Sequence, residues 1–133
     1  MVKVVVNETF APLTFFDADG NFRGITADLL ELIRLRTGMR FEIARVRGVS
    51  TMIEQLETGK SDMIGAIAPS AEREAQLNFS RPYLENSYVM LTRKEDQAPP
   101  SLEAMAGKRL ALTGAEKSIV SAPCLHGVSK RSL

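Results

Sequence analysis

The stretch "GKSDMIGAIAPSAERE", residues 59–74, decides how the chain is read. Residues 62–68 are apolar at most positions, as expected of a buried strand, and Pro69 ends the run. Pro69 and Ser70 then form the entrance to a short helix, with a hydroxyl placed to cap it. The first turn of that helix carries Arg73. Peptide dipoles make a helix N-terminus electropositive, so a cation there costs on the order of 0.3–1 kcal/mol. Two readings fit. Arg73 is a solvated charge flanked by Glu72 and Glu74, or the position is positive because an anion binds there.

Working outward, "STMIEQLETG" (50–59) reads as a helix. Thr51 and Glu54 have capping-box spacing, Met52, Ile53 and Leu56 form the buried face, and Gly59 ends it. "FEIARV" (41–46) alternates as a strand. "ITADLLELIRLRTG" (25–38) is helical, with Leu29, Leu30 and Ile33 on one face and Gly38 as the stop. "LTFFDADGNFRG" (13–24) reads as a hairpin turning at residues 17–21, and "VKVVV" (2–6) as a buried strand.

Strand–helix–strand–helix–strand builds an α/β fold, a mostly parallel sheet flanked by helices. Ligands of such sheets bind beyond the carboxyl ends of the strands. The loops expected there are residues 7–12, 47–50 and 66–73, so Arg73 falls where a pocket is expected.

Downstream, "SYVMLTRK" (87–94) reads as a further strand and "EDQAPPS" (95–101) as a linker. Residues 102–120 then repeat the pattern of a short helix, a strand (109–112) and a Gly-containing turn opening a second helix. The last stretch, "SAPCLHGVSKRSL", shows no clear period.

The bulk composition excludes several classes. Hydrophobic residues are 44% of 133 and charged residues 25%, an ordinary globular balance. Net charge is +1 with the signs mixed, so no nucleic-acid surface is expected. No run approaches the roughly 18 apolar residues of a membrane span, so no direct insertion is expected from this segment. "VKVVV" is too short for a signal-peptide core, and any targeting segment is expected outside these residues. The single cysteine, Cys124, has no intrachain partner, and the single histidine, His126, lies in the aperiodic tail. No acid–base pair, metal-ligand cluster or cofactor motif stands out, so neither an enzyme nor a cofactor is expected.

Several motifs together resemble the type II periplasmic solute-binding fold, the two-lobed Venus flytrap. They are "FAPLTFFDADGNFRGITADLLELI", "MIEQLETGKSDMIGAIAPSAERE", "NFSRPYLENSYVMLTRK" and "LEAMAGKRLAL". Within that family the spacing of "DMIGAIAPSAERE" and the "FSRPYL" run are most similar to sensory domains of bacterial hybrid histidine kinases. The resemblance implies a periplasmic domain of a sensor kinase that binds a small carboxylate or amino-acid-like ligand. The alternative is the binding component of an importer for amino acids or related compounds.

By resemblance, Arg73 is the ligand-carboxylate anchor and Phe10 the aromatic that stacks on the ligand. Asn7 stands where the family often has an acid for an ammonium group. Val49 stands at a wall position that is often aromatic, and Ala68 where a hydroxyl is usual, with Ser70 able to substitute. Thr113 and Gly114 match the second-lobe turn that completes the grip. Phe15, Phe16, Asp28 and Asp62 are read as structural, and Arg81 and Tyr83 as packing near the interlobe crossing.

The resemblance also implies lobe 1 over residues 1–88, a hinge strand at 89–93, and the beginning of lobe 2 over 94–133. Lobe 2 is therefore incomplete, because two domain-sized lobes need about twice this length. Either more chain or a second copy, as a homodimer, is expected to supply the rest.

Overall fold

A computed structural model describes residues 1–85, 87, 89–101, 103–112 and 129–132. The chain divides into two units, Met1–Ala68 and Pro69–Leu133.

The first unit is built on a parallel sheet in the order β5–β1–β6. The central strand β1 (Val2–Asn7) pairs along its whole length with β5 (Phe41–Val46), from Val2 opposite Phe41 to Asn7 opposite Val46. On its other side lies β6 (Met63–Ile64), with Val4 opposite Met63. Val4, Val5 and Val6 are fully buried. Successive side chains leave a strand by opposite faces, so both faces of β1 are covered, as its unbroken valines require. Val4 and Val6 join Leu30 of α1 (Ile25–Thr37), with Val2, Phe16, Phe22, Phe41 and Ile43 packed around them. The second helix, α2 (Val49–Glu57), packs against β1 and β6 and buries Met52.

A small antiparallel sheet of β2 (Thr9–Phe10), β3 (Thr14–Phe16) and β4 (Phe22–Arg23) precedes α1. Its β3–β4 turn is the one expected. The Asp17 carboxylate accepts the Asp19 and Asn21 amides at 3.1 and 2.8 Å and the Arg23 Nε–H at 2.9 Å. Strand β2 has no counterpart in the sequence reading, because two residues are too few to show a period.

The start of α1 rests on backbone. The amides of Ile25 and Thr26 donate to the carbonyls of Pro12 and Leu13 at 3.0 and 3.1 Å. The N-cap, Gly24, sits at φ 114°, and a Cβ there would lie 2.3 Å from the Leu13 carbonyl oxygen. Only glycine permits that approach. Gly38 ends the helix in the left-handed conformation, as its position predicts, donating to Arg34 O at 2.9 Å.

Several expectations need correction in this unit and the next. The Thr51–Glu54 capping box does not form, because Gly48 at φ 84° turns the chain into α2 early and places Thr51 inside the helix. The strand expected over 62–68 pairs only at Met63–Ile64. The Gly65 amide still donates to Val5 O at 2.9 Å, whereas the Asn7 carbonyl at the end of β1 accepts the Thr14 hydroxyl at 2.6 Å. The third concerns 87–94: Ser87 and residues 89–94 form no strand, and Val89 and Leu91 are 84% and 96% exposed. An extended apolar run becomes a strand only beside a neighbour that takes its amides, and none of the described residues does so.

The second unit contains α3 (Ala71–Glu74), a 3-10 turn at Glu103–Met105 in place of the expected short helix, and β7 (Arg109–Leu112). Strand β7 falls where the sequence places it. It pairs in parallel with β8 (Ser129–Ser132), in the tail that showed no period. The helix expected after residue 112 lies outside the described residues. Arg81 and Tyr83, expected to pack, are exposed.

Candidate functional site: the loops beyond the parallel strands

In the first unit the three parallel strands end at one edge. Asn7 is level with Val46, and Val5 with Ile64, so the loops after β1, β5 and β6 all leave from that side. This edge brings together the loops that carry Asn7, Phe10, Val49 and Ala68.

Asn7 is half-buried at the end of β1. Its Oδ1 accepts the Thr9 amide at 3.2 Å and the Thr9 hydroxyl at 3.1 Å, and its backbone carbonyl accepts the buried Thr14 hydroxyl at 2.6 Å. The side-chain carbonyl is thus spent on a local turn, and the amide nitrogen is the end available to donate. Phe10 closes β2 opposite Thr14 with 37% of its surface exposed. Val49 opens α2 and Ala68 follows β6, both half-buried.

Ser70 and Arg73 belong to the second unit. Ser70 has extended backbone angles, and its Oγ accepts the Arg73 amide at 3.3 Å, the capping role its sequence position predicts. Arg73 is half-buried in this single turn. Thr113 and Gly114 lie outside the described residues.

Three residues at this edge escaped the sequence reading: Glu8, Arg45 and Arg47. Glu8, one residue past β1, extends the ladder by donating its amide to Val46 O at 2.9 Å. Its carboxylate meets two guanidiniums, Arg45 Nε at 3.2 Å and Arg47 Nε in a short contact. The hydrogen bond from Arg47 holds the Glu8 carboxyl below its ordinary range. The Arg45 guanidinium also lies 5.1 Å from the centre of the Phe16 ring, which packs on Phe22 at 5.5 Å. The signal was present in the alternation Arg45-Val46-Arg47, but only the β1–β5 register shows that both arginines face Glu8.

The structural readings of Asp62 and Phe16 hold. Asp62 accepts the Lys3 amide, and Phe16 packs against the core. None of the helices among the described residues is long and apolar enough to cross a membrane.

The family model for bacterial extracellular solute-binding proteins, family 3, matches residues 2–130, and the chain belongs to that family. The virulence sensor protein BvgS of Bordetella pertussis is 44% identical over 112 residues, which is 84% of this chain and 9% of that protein. The crystal structure of its periplasmic VFT2 domain superposes with a TM-score of 0.85 at 37% identity, covering 99% of this chain and 57% of that one. An ancestral arginine-binding protein bound to glutamine superposes at 0.81 with 27% identity, covering 99% of this chain and 59% of that one. The α/β solute-binding fold is therefore shown, and the chain spans just over half of these solved neighbours.

Proposed function

We propose that this member of the family is the periplasmic ligand-sensing domain of a bacterial sensor histidine kinase, taking a small carboxylate or amino-acid-like ligand. The observation that carries the reading is the common carboxyl edge of β1, β5 and β6, in a chain 44% identical to part of a virulence sensor. Open sheets of this kind bind ligands at that edge.

In this reading Arg73 takes the ligand carboxylate, because a planar guanidinium matches a planar anion with two parallel hydrogen bonds. The Phe10 ring covers the ligand, Val49 and Ala68 line its apolar side, and Ser70 donates its hydroxyl hydrogen. Asn7 donates through its amide nitrogen, which suits a ligand oxygen rather than an ammonium group. Thr113 and Gly114 contribute from lobe 2. Lobe 1 comprises residues 1–88, the crossing 89–93, and the beginning of lobe 2 residues 94–133. More chain or a second copy completes the enclosure. Ligand favours the closed clamshell and so shifts the populations that a sensor reads out. The domain binds and does not catalyse.

The second reading is the substrate-binding component of an importer for amino acids or related compounds. The likeness to an arginine-binding protein favours it.

A thermal-shift screen of the twenty amino acids and small dicarboxylates, run on this chain and on Arg73→Ala, tests the proposal. A ligand that binds only the folded state raises the melting midpoint by mass action. The expected result is a hit that stabilises the parent chain and not the variant. Equal stabilisation of both removes Arg73 from the site, and no hit at all removes the ligand-binding reading.

A further inference from the structure

We propose that Glu8 is a positioning residue: it latches the loop after β1 to the loop after β5, so that Phe10 and Val49 are held as one rigid edge. Both oxygens of its carboxylate are engaged across the two strands, Oε1 by Arg47 and Oε2 by Arg45. Arg47 immediately precedes the Gly48 turn that opens α2 at Val49, and Glu8 immediately precedes the Thr9–Phe10 strand. The contact therefore joins the roots of both loops. The role of the latch in ligand binding rests on the reading proposed above.

Exposed ion pairs contribute little to folding, and Arg47 is 84% exposed. Glu8 departs from that case in two respects. Its side chain is only 14% exposed, so the carboxylate has little water to fall back on. It is also the centre of a connected set rather than half of a pair. Arg45, fixed over Phe16, ties the same carboxylate to the Phe16–Phe22 contact of the hairpin. A network of this kind restricts geometry even where its contribution to stability is small. The loop edge then has one arrangement to present to a ligand.

The test compares the parent chain with Glu8→Gln, which keeps the size and loses the charge. Phe10 carries a site-specific fluorine label, and the Val49 amide is followed by nitrogen-15 relaxation. The expected result is that both signals broaden or split in the variant, while the melting midpoint and the Asp17 turn signals stay as in the parent. With L-glutamine and L-arginine as probes, affinity falls by roughly 3- to 10-fold if a tenth to a third of molecules hold the competent loop edge. Unchanged Phe10 and Val49 signals overturn the latch. Should Glu8→Gln fail to fold, Arg47→Gln, at a side chain facing water, carries the same comparison. If neither probe binds the parent chain, the label and the amide still decide the latch, and the ligand-binding reading is decided separately by the thermal-shift screen.

Discussion

Asp62 and Lys3 grip each other twice: the Lys3 amide donates to Asp62 Oδ2 at 2.8 Å, and the Asp62 amide donates to Lys3 O at 2.9 Å. The pair lies at the entry to β6, just ahead of the two residues, Met63 and Ile64, that join the sheet. A side chain thus continues the ladder where the strand itself is short.

Removing that grip should loosen β6. Asp62→Ala deletes the acceptor of the Lys3 amide, and a hydrogen bond to a charged group contributes about 1.5–3 kcal/mol, less where water competes. We expect a loss of about 1 kcal/mol in urea unfolding, with Asp62→Asn recovering most of it. Equal melting of all three proteins would show that water replaces the carboxylate without penalty.

Gly65 follows β6, and a Cβ added there would meet Val6 Cγ1 at 2.9 Å and Thr26 Cγ2 at 3.2 Å. Val6 and Thr26 are buried and branched, so neither can swing aside. Gly65→Ala should therefore destabilise the chain by about 1–3 kcal/mol, the usual range for overpacking. A denaturant midpoint equal to that of the parent would mean that α1 shifts freely on the sheet.

Met52 is the largest fully buried side chain in the first unit, at 1% exposure. Met52→Ala should cost about 2–5 kcal/mol through lost contacts and the cavity left behind. Met52→Leu, similar in volume, should cost less than about 1.5 kcal/mol. Chemical denaturation of the two variants checks the order.

The Asp17 carboxyl is held at about 2, against 3.8 ordinarily, first by the Asn21 amide and then by the Arg23 guanidinium. A depressed carboxyl stabilises the folded form fully above its unfolded value. That contribution fades as pH falls below about 3.8 and is gone below about 2. A carbon-detected titration of Asp17 should give its midpoint near 2, and Asp17→Asn should flatten the pH dependence of turn opening in that window. A midpoint near 3.8 would mean that the turn is open in solution.

The elements that could be read from the residues are those whose signal is local. The valines of β1, the alternation of β5, the Asp17 turn and the Gly38 stop of α1 each state their conformation within a few positions. Where the reading of strands went astray, the deciding partner lay outside the local pattern, and where the reading of a cap did, a nearby glycine overruled it. Residues 62–68 carry strand composition throughout, yet join the sheet only at Met63–Ile64. The polar Ser129–Ser132 carries no pattern, yet forms a strand beside Arg109–Leu112. Thr51 has the right spacing for a cap, but Gly48 starts the helix sooner.

The same division runs through the candidate site. Asn7, Phe10, Val49, Ala68, Ser70 and Arg73 could be named from motif spacing, because a family motif is itself a sequence pattern. The engagement of the Asn7 carbonyl by Thr9 and the meeting of Glu8 with Arg45 and Arg47 could not. By itself the sequence determined β1, β5, α1 and α2 and the faces they bury, since burial follows the 2.0- and 3.6-residue periods of the backbone. The tertiary structure decided where each strand stops, which strands share an edge, and which charges meet there. Those outcomes depend on register between segments about 40 residues apart, and no local period encodes that register.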